Sequence, residues 1–163
     1  MVYNTRLGMA NTFYTIEQTE DDLARIRALG FHTLLGFEKL TAAQIQAISN
    51  GSGPSSWSNS RRKFLTNLES EGARLAAIPH DIGYCCPNKS RELFDRVNKE
   101  FYLNQLLWAR VAHPIDLAAR TLVNGQAWLE YKAVCAFGWE AWLAGEVLLE
   151  LSPPDEGPER LDS

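Results

Sequence analysis

Apolar residues recur at helical spacing over most of the chain, and the alternation typical of β-strands is weak throughout. The clearest helix follows Ser90, a residue type that caps helix starts, and extends to about Val111, where His113 and Pro114 close it. Its apolar positions are Leu93, Phe94, Val97, Phe101, Leu103 and Leu107. The pattern therefore predicts a mostly α-helical protein.

The first third of the chain predicts two short helices. The acidic segment Thr19–Asp22 is typical of a helix start, and Gly30 is placed to end that helix. Residues 31–40 are apolar and fit either a strand or a buried connector, after which Thr41 is expected to cap a helix over Ala42–Ser49. We expect residues 1–49 to form a helical extension packed on a core domain.

The remainder of the chain predicts further helices separated by turns. Residues 50–60 are rich in Gly, Pro and Ser and predict a defined loop. One helical segment is then expected to end at Gly72, and another to run from Ala73 to Cys86, interrupted by Pro79. After Ile115 the helical pattern continues to about Leu151 with a break near Gly125. We expect a core over residues 50–151 and a disordered tail over 152–163.

Composition and charge exclude several classes of protein. The chain has 163 residues, enough for one domain, and 16 basic against 20 acidic residues give a net charge of −4. A nucleic-acid binder normally shows a basic field, so we expect no nucleic-acid partner. We expect neither a signal peptide nor a membrane span. Localisation stays open between the cytoplasm, a virion, and export by a route other than the Sec pathway.

A pair of neighbouring helices brings candidate catalytic residues together. If 76–86 and 90–111 are helices joined by a short turn, they run antiparallel. Reflection about residue 87 or 88 then places Asp95 opposite His80, with Asn98 one turn further along. A histidine held by an acid through one ring nitrogen keeps the other nitrogen to accept a proton. The sequence therefore predicts a general base at His80.

The position of Asp81, directly after His80, predicts a metal site. On a helix, Asp81 points about 100° away from His80 and is free to face the glycine-rich loop. A carboxylate together with loop carbonyls is a set of hard oxygen ligands suited to Ca²⁺. The predicted ligands are Asp81, Asn50, Gly51, Ser52 and Gly53.

Four sequence fragments, in the right order, resemble the phospholipase A2 superfamily and especially its prokaryotic branch. They are His80-Asp81-Ile82-Gly83-Tyr84; the segments Asn88–Arg91, Arg96–Asn98 and Phe101-Tyr102; the loop Asn50–Pro54; and Ala127–Val134 with Phe137-Gly138. The resemblance covers about residues 50–139. It implies an antiparallel catalytic helix pair with a calcium loop, to which the N-terminal helices are added, and it implies supporting roles for Tyr84 and Tyr102.

The resemblance also implies an activity and its partners. The expected reaction is Ca²⁺-dependent hydrolysis of the sn-2 acyl ester of glycerophospholipids, with a phospholipid membrane surface as substrate. The loop has no acidic residue, so we expect it to bind Ca²⁺ weakly, and this suggests that an inhibitory protein partner restrains the enzyme. Trp139 and Trp142 fit either an interfacial face or ordinary core packing.

Two departures from the family leave an alternative open. The family has an aspartate where this chain has Asn98, and an amide cannot stabilise an imidazolium by charge. Either Asp95 or Asn98 is expected to orient His80. The calcium loop also lacks an acidic residue, so Ca²⁺ binding is expected to be weak. The alternative function is an inactive phospholipase A2-like binding or structural protein, in which His80-Asp81 is a surface pair and the loop an ordinary turn.

Overall fold

The mostly α-helical fold is confirmed. The computed structural model describes residues 15–49 and 70–144, and these residues form six α-helices and no β-strand. The helices are α1 (Ile16–Leu29), α2 (Ala42–Ile48), α3 (Glu71–Gly83), α4 (Arg91–Ala112), α5 (Leu117–Phe137) and α6 (Trp139–Ala144). Among the described residues, none of these helices has both the length and the apolar character that a membrane crossing requires.

Helix α1 begins one turn earlier than the acidic segment predicts. The Thr15 side chain accepts a hydrogen bond from the Gln18 backbone N–H, and the Gln18 side chain accepts one from the Thr15 backbone N–H. This reciprocal capping satisfies two backbone donors, so the prediction that the helix starts at Thr19–Asp22 is wrong. The predicted end at Gly30 is confirmed, because Gly30 adopts the left-handed conformation (φ 67°) that favours glycine.

The connector and α2 complete the described part of the N-terminal region. Residues 31–40 form a connector containing the short 3₁₀ helix Phe37–Lys39, and Thr41 caps α2 as predicted. Leu23 and Ile26 of α1 and Ile45 of α2 are buried in the same hydrophobic core as residues of α3 and α4. The division of the chain into an extension and a core domain stays a prediction.

Helix α3 passes through both positions where a break was expected. It begins after the Ser70 cap, includes Gly72, and continues through Pro79 to Gly83. A Cβ atom on Gly72 would lie 2.5 Å from the Trp108 ring, so this glycine allows α3 and α4 to approach closely. The predicted helix end at Gly72 is therefore wrong.

Helices α3 and α4 are antiparallel neighbours, as predicted. Gly72 lies against Trp108 at one end of the pair, and Gly83 lies against Val97 at the other. A Cβ atom on Gly83 would lie 2.6 Å from Val97 Cγ1, so this end of the pair also packs closely. Helices α3 and α4 therefore pack closely at both ends of their interface, and buried side chains of α3 lie in direct contact with buried side chains of α4.

Helix α5 is continuous where the sequence predicted a break. It runs through Asn124 and Gly125 without interruption and ends before Gly138, after which the short α6 follows. A single interior glycine costs a helix only about 1 kcal/mol relative to alanine, too little to end a 21-residue helix. The predicted break near Gly125 is therefore wrong. The predicted helix end near Leu151 and the predicted tail lie outside the described residues.

Candidate active site

His80 lies near the C-terminal end of α3, on the side that faces α4. Its side chain is only 9% exposed. The imidazole packs between two aromatic rings, with centroid distances of 4.5 Å to Tyr84 and 4.7 Å to Phe101. Tyr84 follows one helical turn later on the α3 side and Phe101 belongs to α4, so both helices fix the plane of the histidine ring.

One ring nitrogen of His80 is held by an amide oxygen from α4. His80 Nε2 lies 2.9 Å from Asn98 Oδ1, and the Tyr84 hydroxyl donates a 3.0 Å hydrogen bond to the same oxygen. An amide oxygen only accepts hydrogen bonds, so Nε2 carries the proton in this arrangement. The lone pair of the neutral imidazole is then on Nδ1, which is the nitrogen able to accept a proton.

Asp95 does not lie opposite His80. Its carboxylate pairs with Arg91 one turn earlier on α4 (3.2 Å), and its side chain is 55% exposed. The reason is the length of the connection between the helices, because residues 84–90 belong to neither helix. The centre of the antiparallel pair therefore lies at residue 89 or 90 instead of at the expected residue 87 or 88. This shifts the contact of His80 by about one turn to Asn98, the second predicted orienting residue.

Asp81 lies beside His80 rather than turned away from it. Asp81 Oδ1 is 3.4 Å from His80 Nδ1, and with the ring proton on Nε2 neither atom has a hydrogen to donate, so the carboxylate can accept from Nδ1 only when the ring is protonated. The expectation that the two side chains diverge is therefore wrong, because both extend far enough from the helix to meet. The Asp81 side chain is partly exposed, and no Lys or Arg in residues 15–49 or 70–144 forms an ion pair with it.

The predicted calcium site is described only in part. Asn50, Gly51, Ser52 and Gly53 lie outside the described residues. Within the described ranges, no three His, Cys, Asp or Glu side chains come together as a metal-binding group. Asp81 fits a hard cation in its chemistry, because it offers a partly exposed carboxylate without a basic partner there.

Tyr84 is a fixed hydrogen-bond donor in this site. Burial raises the pKa of its phenol well above the ordinary value, so the hydroxyl keeps its proton. Trp142 of α6 meets the Tyr84 ring edge-on, with centroids 5.3 Å apart. Gly138 approaches the Tyr84 hydroxyl so closely that a Cβ atom there would clash with it. The start of α6 therefore helps to hold the donor in place.

Tyr102 lies elsewhere on α4. Its ring stacks on Tyr131 of α5, with centroids 5.4 Å apart and an interplanar angle of 27°. The contact supports the α4–α5 pair, so the expectation that Tyr102 supports the α3–α4 pair is wrong. Its neighbour Phe101 contacts the His80 ring instead.

Two residues that hold the site were assigned no role in it from the sequence. Phe101 packs directly on the imidazole, and its position three residues after Asn98 on one helix face was the available signal. Trp142 is fully buried and belongs to the core, which excludes an interfacial role for its ring in this fold.

Lys89, in the connection between α3 and α4, also contacts two of these residues. It donates to the Tyr84 carbonyl, and its ammonium lies 5.0 Å from the Trp142 ring centroid.

A shallow depression of about 190 Å³, which includes open solvent, reaches His80. The depression leaves no enclosed space for a water-sized molecule, so it does not enclose a long acyl chain. Its lining includes polar and apolar side chains: His32, Leu34, Pro79, His80, Val97, Glu100, Phe101 and Asn104.

Comparison with protein-family models, with curated proteins and with solved structures found no match to the chain. The interpretation of the site therefore depends on its own geometry and chemistry and on the motif resemblance.

Proposed function

We propose that the chain is a phospholipase A2-like esterase that hydrolyses the sn-2 acyl ester of glycerophospholipids with Ca²⁺ as cofactor. The observation that carries the proposal is the 2.9 Å contact between His80 Nε2 and Asn98 Oδ1. This contact leaves the lone pair on Nδ1, beside the carboxylate of Asp81. A buried, oriented imidazole next to an acid that has no Lys or Arg partner among the described residues is an arrangement suited to a hydrolytic base.

The proposed reaction begins with proton transfer from water to His80 Nδ1. The resulting hydroxide attacks the ester carbonyl, and the tetrahedral intermediate then collapses as the imidazolium returns its proton to the leaving alkoxide. The products are a fatty acid and a lysophospholipid. Asp81, together with the loop of Asn50, Gly51, Ser52 and Gly53, is proposed to hold Ca²⁺, which would supply positive charge for the oxyanion.

Asn98 is proposed to act as a positioning residue. Its oxygen accepts from the imidazole and from Tyr84, so the ring is held in one orientation. An amide gives the imidazolium no charge stabilisation, but Asp81 lies 3.4 Å from Nδ1 and can provide it. In this proposal Asn98 orients the imidazole through Nε2, and Asp81 stabilises the imidazolium charge beside Nδ1.

The decisive experiment is hydrolysis of phosphatidylcholine vesicles by the full chain. We expect wild type with Ca²⁺ to release fatty acid, and His80→Gln or a calcium chelator to lower the rate by about 10²-fold or more. His113→Gln is the matched control, because His113 caps the far end of α4 and contacts Trp108 rather than the site. Equal rates for wild type, His80→Gln and the chelated protein would reject the proposal.

A second candidate function is an inactive binding or structural protein with the same helix pair. It is favoured by the amide at position 98 and by the buried Asn98 Nδ2, which has no hydrogen-bond partner in residues 15–49 and 70–144. This alternative expects no hydrolysis in any arm of the experiment. It also expects no change in tryptophan fluorescence on titration with Ca²⁺, whereas the enzyme is expected to respond.

A further inference from the structure

The outer face of α5 is apolar and uncovered by the described residues. Ala127 is the only buried residue assigned to this 21-residue helix. Three large apolar side chains on or just before it are spaced seven residues apart and are strongly exposed, namely Ile115 (90%), Leu122 (77%) and Leu129 (63%). Exposure of this extent along a single line is typical of a surface that contacts a partner.

The residues between these three complete a regular stripe. Ala118, Gly125 and Lys132 lie three residues after Ile115, Leu122 and Leu129, and all three are exposed. From Ala118 to Lys132, within α5, spacing of three and four residues gives a repeat of 3.5, which is typical of a helix that packs along a second helix, whereas Ile115 lies in the bend before the helix. We call these six residues, Ile115, Ala118, Leu122, Gly125, Leu129 and Lys132, the α5 seam.

The α5 seam is complementary to itself when two copies run antiparallel. We propose that the seam binds the α5 seam of a second copy of this chain, with a two-fold axis between Leu122 and Gly125. Leu122 then faces Gly125 of the second copy, and Leu129 faces Ala118 of the second copy. Each of these two leucines meets a small residue, so the two helices can approach closely along the middle of the seam, and Ile115 faces Lys132 at each end.

Charge favours the antiparallel direction. Lys132 is the only charged residue of the α5 seam. In the antiparallel pair it lies near Asp116 of the second copy, an exposed residue that caps the start of α5 through one oxygen. A parallel pair would instead place Lys132 against its own equivalent, and like charges repel.

Gly125 supplies a second, independent observation. Glycine is among the least favourable residues in a helix interior, and α5 runs straight through this one. A Cβ atom there would meet nothing within 4 Å among residues 15–49 and 70–144, so this part of the chain gives no packing reason for glycine. Close approach of a second helix provides that reason.

The test compares the oligomeric state of the full chain with that of Gly125→Leu. Sedimentation velocity and light scattering are expected to give wild type a mass twice its 18.3 kDa. Gly125→Leu is expected to raise the dimer dissociation constant about tenfold or more, because the new side chain opposes Leu122 of the second copy. It is also expected to keep or raise helix content, since leucine is a far better helix former than glycine.

Two further variants separate the α5 seam from other exposed apolar residues. Leu122→Glu is expected to yield monomers, whereas Leu143→Glu, an exposed leucine of α6 outside the seam, is expected to keep the dimer. Wild type that is monomeric at every concentration, or Gly125→Leu that remains as dimeric as wild type, would overturn the proposal.

A membrane is the competing occupant of the α5 seam, and the same variants distinguish it. If the seam binds lipid, wild type stays monomeric and Gly125→Leu binds phosphatidylcholine vesicles more tightly, because it adds apolar surface. That result would also overturn the proposal. The dimer does not depend on the proposed esterase, since hydrolysis and oligomeric state are measured separately.

Discussion

Helices α3 and α5 both pack against α4, but they are buried to very different extents. Nine of the 13 residues of α3 are buried, whereas Ala127 is the single buried residue recorded for the 21-residue α5. The side chains that α3 turns toward α4 are held by neighbours on several sides. A residue such as His80 therefore has one well-defined position, which a catalytic base requires.

The inner face of α5, which packs against α4, contains buried polar atoms rather than only apolar ones. Among the described residues, Asn124 Oδ1 and Glu130 Oε2 are buried there without a hydrogen-bond partner. An unpaired buried polar atom costs about 1–3 kcal/mol, so the α4–α5 contact is less favourable than an apolar one would be. The difference teaches that α3 holds its side chains in fixed positions against α4, whereas α5 exposes most of its side chains.

The largest expected effect comes from removing the amide that α4 presents to α3. Asn98→Ala leaves the imidazole of His80 and the hydroxyl of Tyr84 without their shared acceptor. We expect kcat for phospholipid hydrolysis to fall by roughly 10²-fold. Asp95→Ala is the matched control on the same helix, because Asp95 pairs with Arg91 on the surface, and it is expected to keep nearly full activity.

A pH profile shows that Asn98 acts on the histidine rather than on the fold alone. Asn98→Asp keeps an acceptor oxygen and adds a charge that favours the imidazolium form of His80. The acidic limb of the rate profile is then expected to move to higher pH. A profile unchanged by Asn98→Asp, or an activity loss in Asp95→Ala as large as that in Asn98→Ala, would contradict the assigned contact.

The pairing of the helices was predictable from the sequence, but its register was not. Helical spacing and the Ser90 cap were enough to predict α4 and its antiparallel partner. Asp95 was the first choice for the contact with His80 because the length of the connection over residues 84–90 is not encoded in periodicity. A shift of one turn exchanged an acid for an amide.

The end of α5 shows a second limit of local sequence patterns. The sequence predicted a break near Gly125 and none at Gly138, yet α5 runs through Gly125 and ends before Gly138. Gly138 packs against the Tyr84 hydroxyl, a contact between residues far apart in the chain. Local propensity carries no information about such a neighbour, so the choice between the two glycines depends on tertiary structure.

A second effect, on the free energy of unfolding rather than on the rate of hydrolysis, comes from the burial of α4. Phe94 is fully buried, and its ring lies 5.1 Å from that of Trp139 and 5.8 Å from that of Trp142. Phe94→Ala is expected to lower the free energy of unfolding by about 3–5 kcal/mol, because it removes these contacts and leaves a cavity. Urea denaturation followed by circular dichroism measures the change.

The control for this prediction is an exposed apolar residue of α5. Leu117→Ala lies outside the α5 seam and is expected to change the free energy of unfolding by no more than about 0.5 kcal/mol. A large decrease in the free energy of unfolding for Leu117→Ala would show that the surface of α5 around Leu117 is also covered in solution. A small loss in Phe94→Ala would contradict the tight packing around α4.

The smallest expected effect is the pH dependence that Glu130 gives to the α4–α5 contact. Burial raises the pKa of the Glu130 carboxyl above its ordinary value of 4.5, and the hydrogen bond from Gln126 opposes the rise only in part. The folded protein therefore holds this proton to higher pH than the unfolded chain. Its contribution to stability is present below pH 4.5 and is lost as the pH rises through the raised pKa.

Glu130→Gln removes this titration while keeping a side chain of the same size. Wild type and variant are expected to have similar stability near pH 4, and the variant is expected to become the more stable of the two toward neutral pH. The difference between their unfolding midpoints, measured across that range, cancels the titration of every other group. Parallel curves would mean that the Glu130 carboxylate finds a partner in solution, and burial of this group would then add no pH-dependent penalty to the α4–α5 contact.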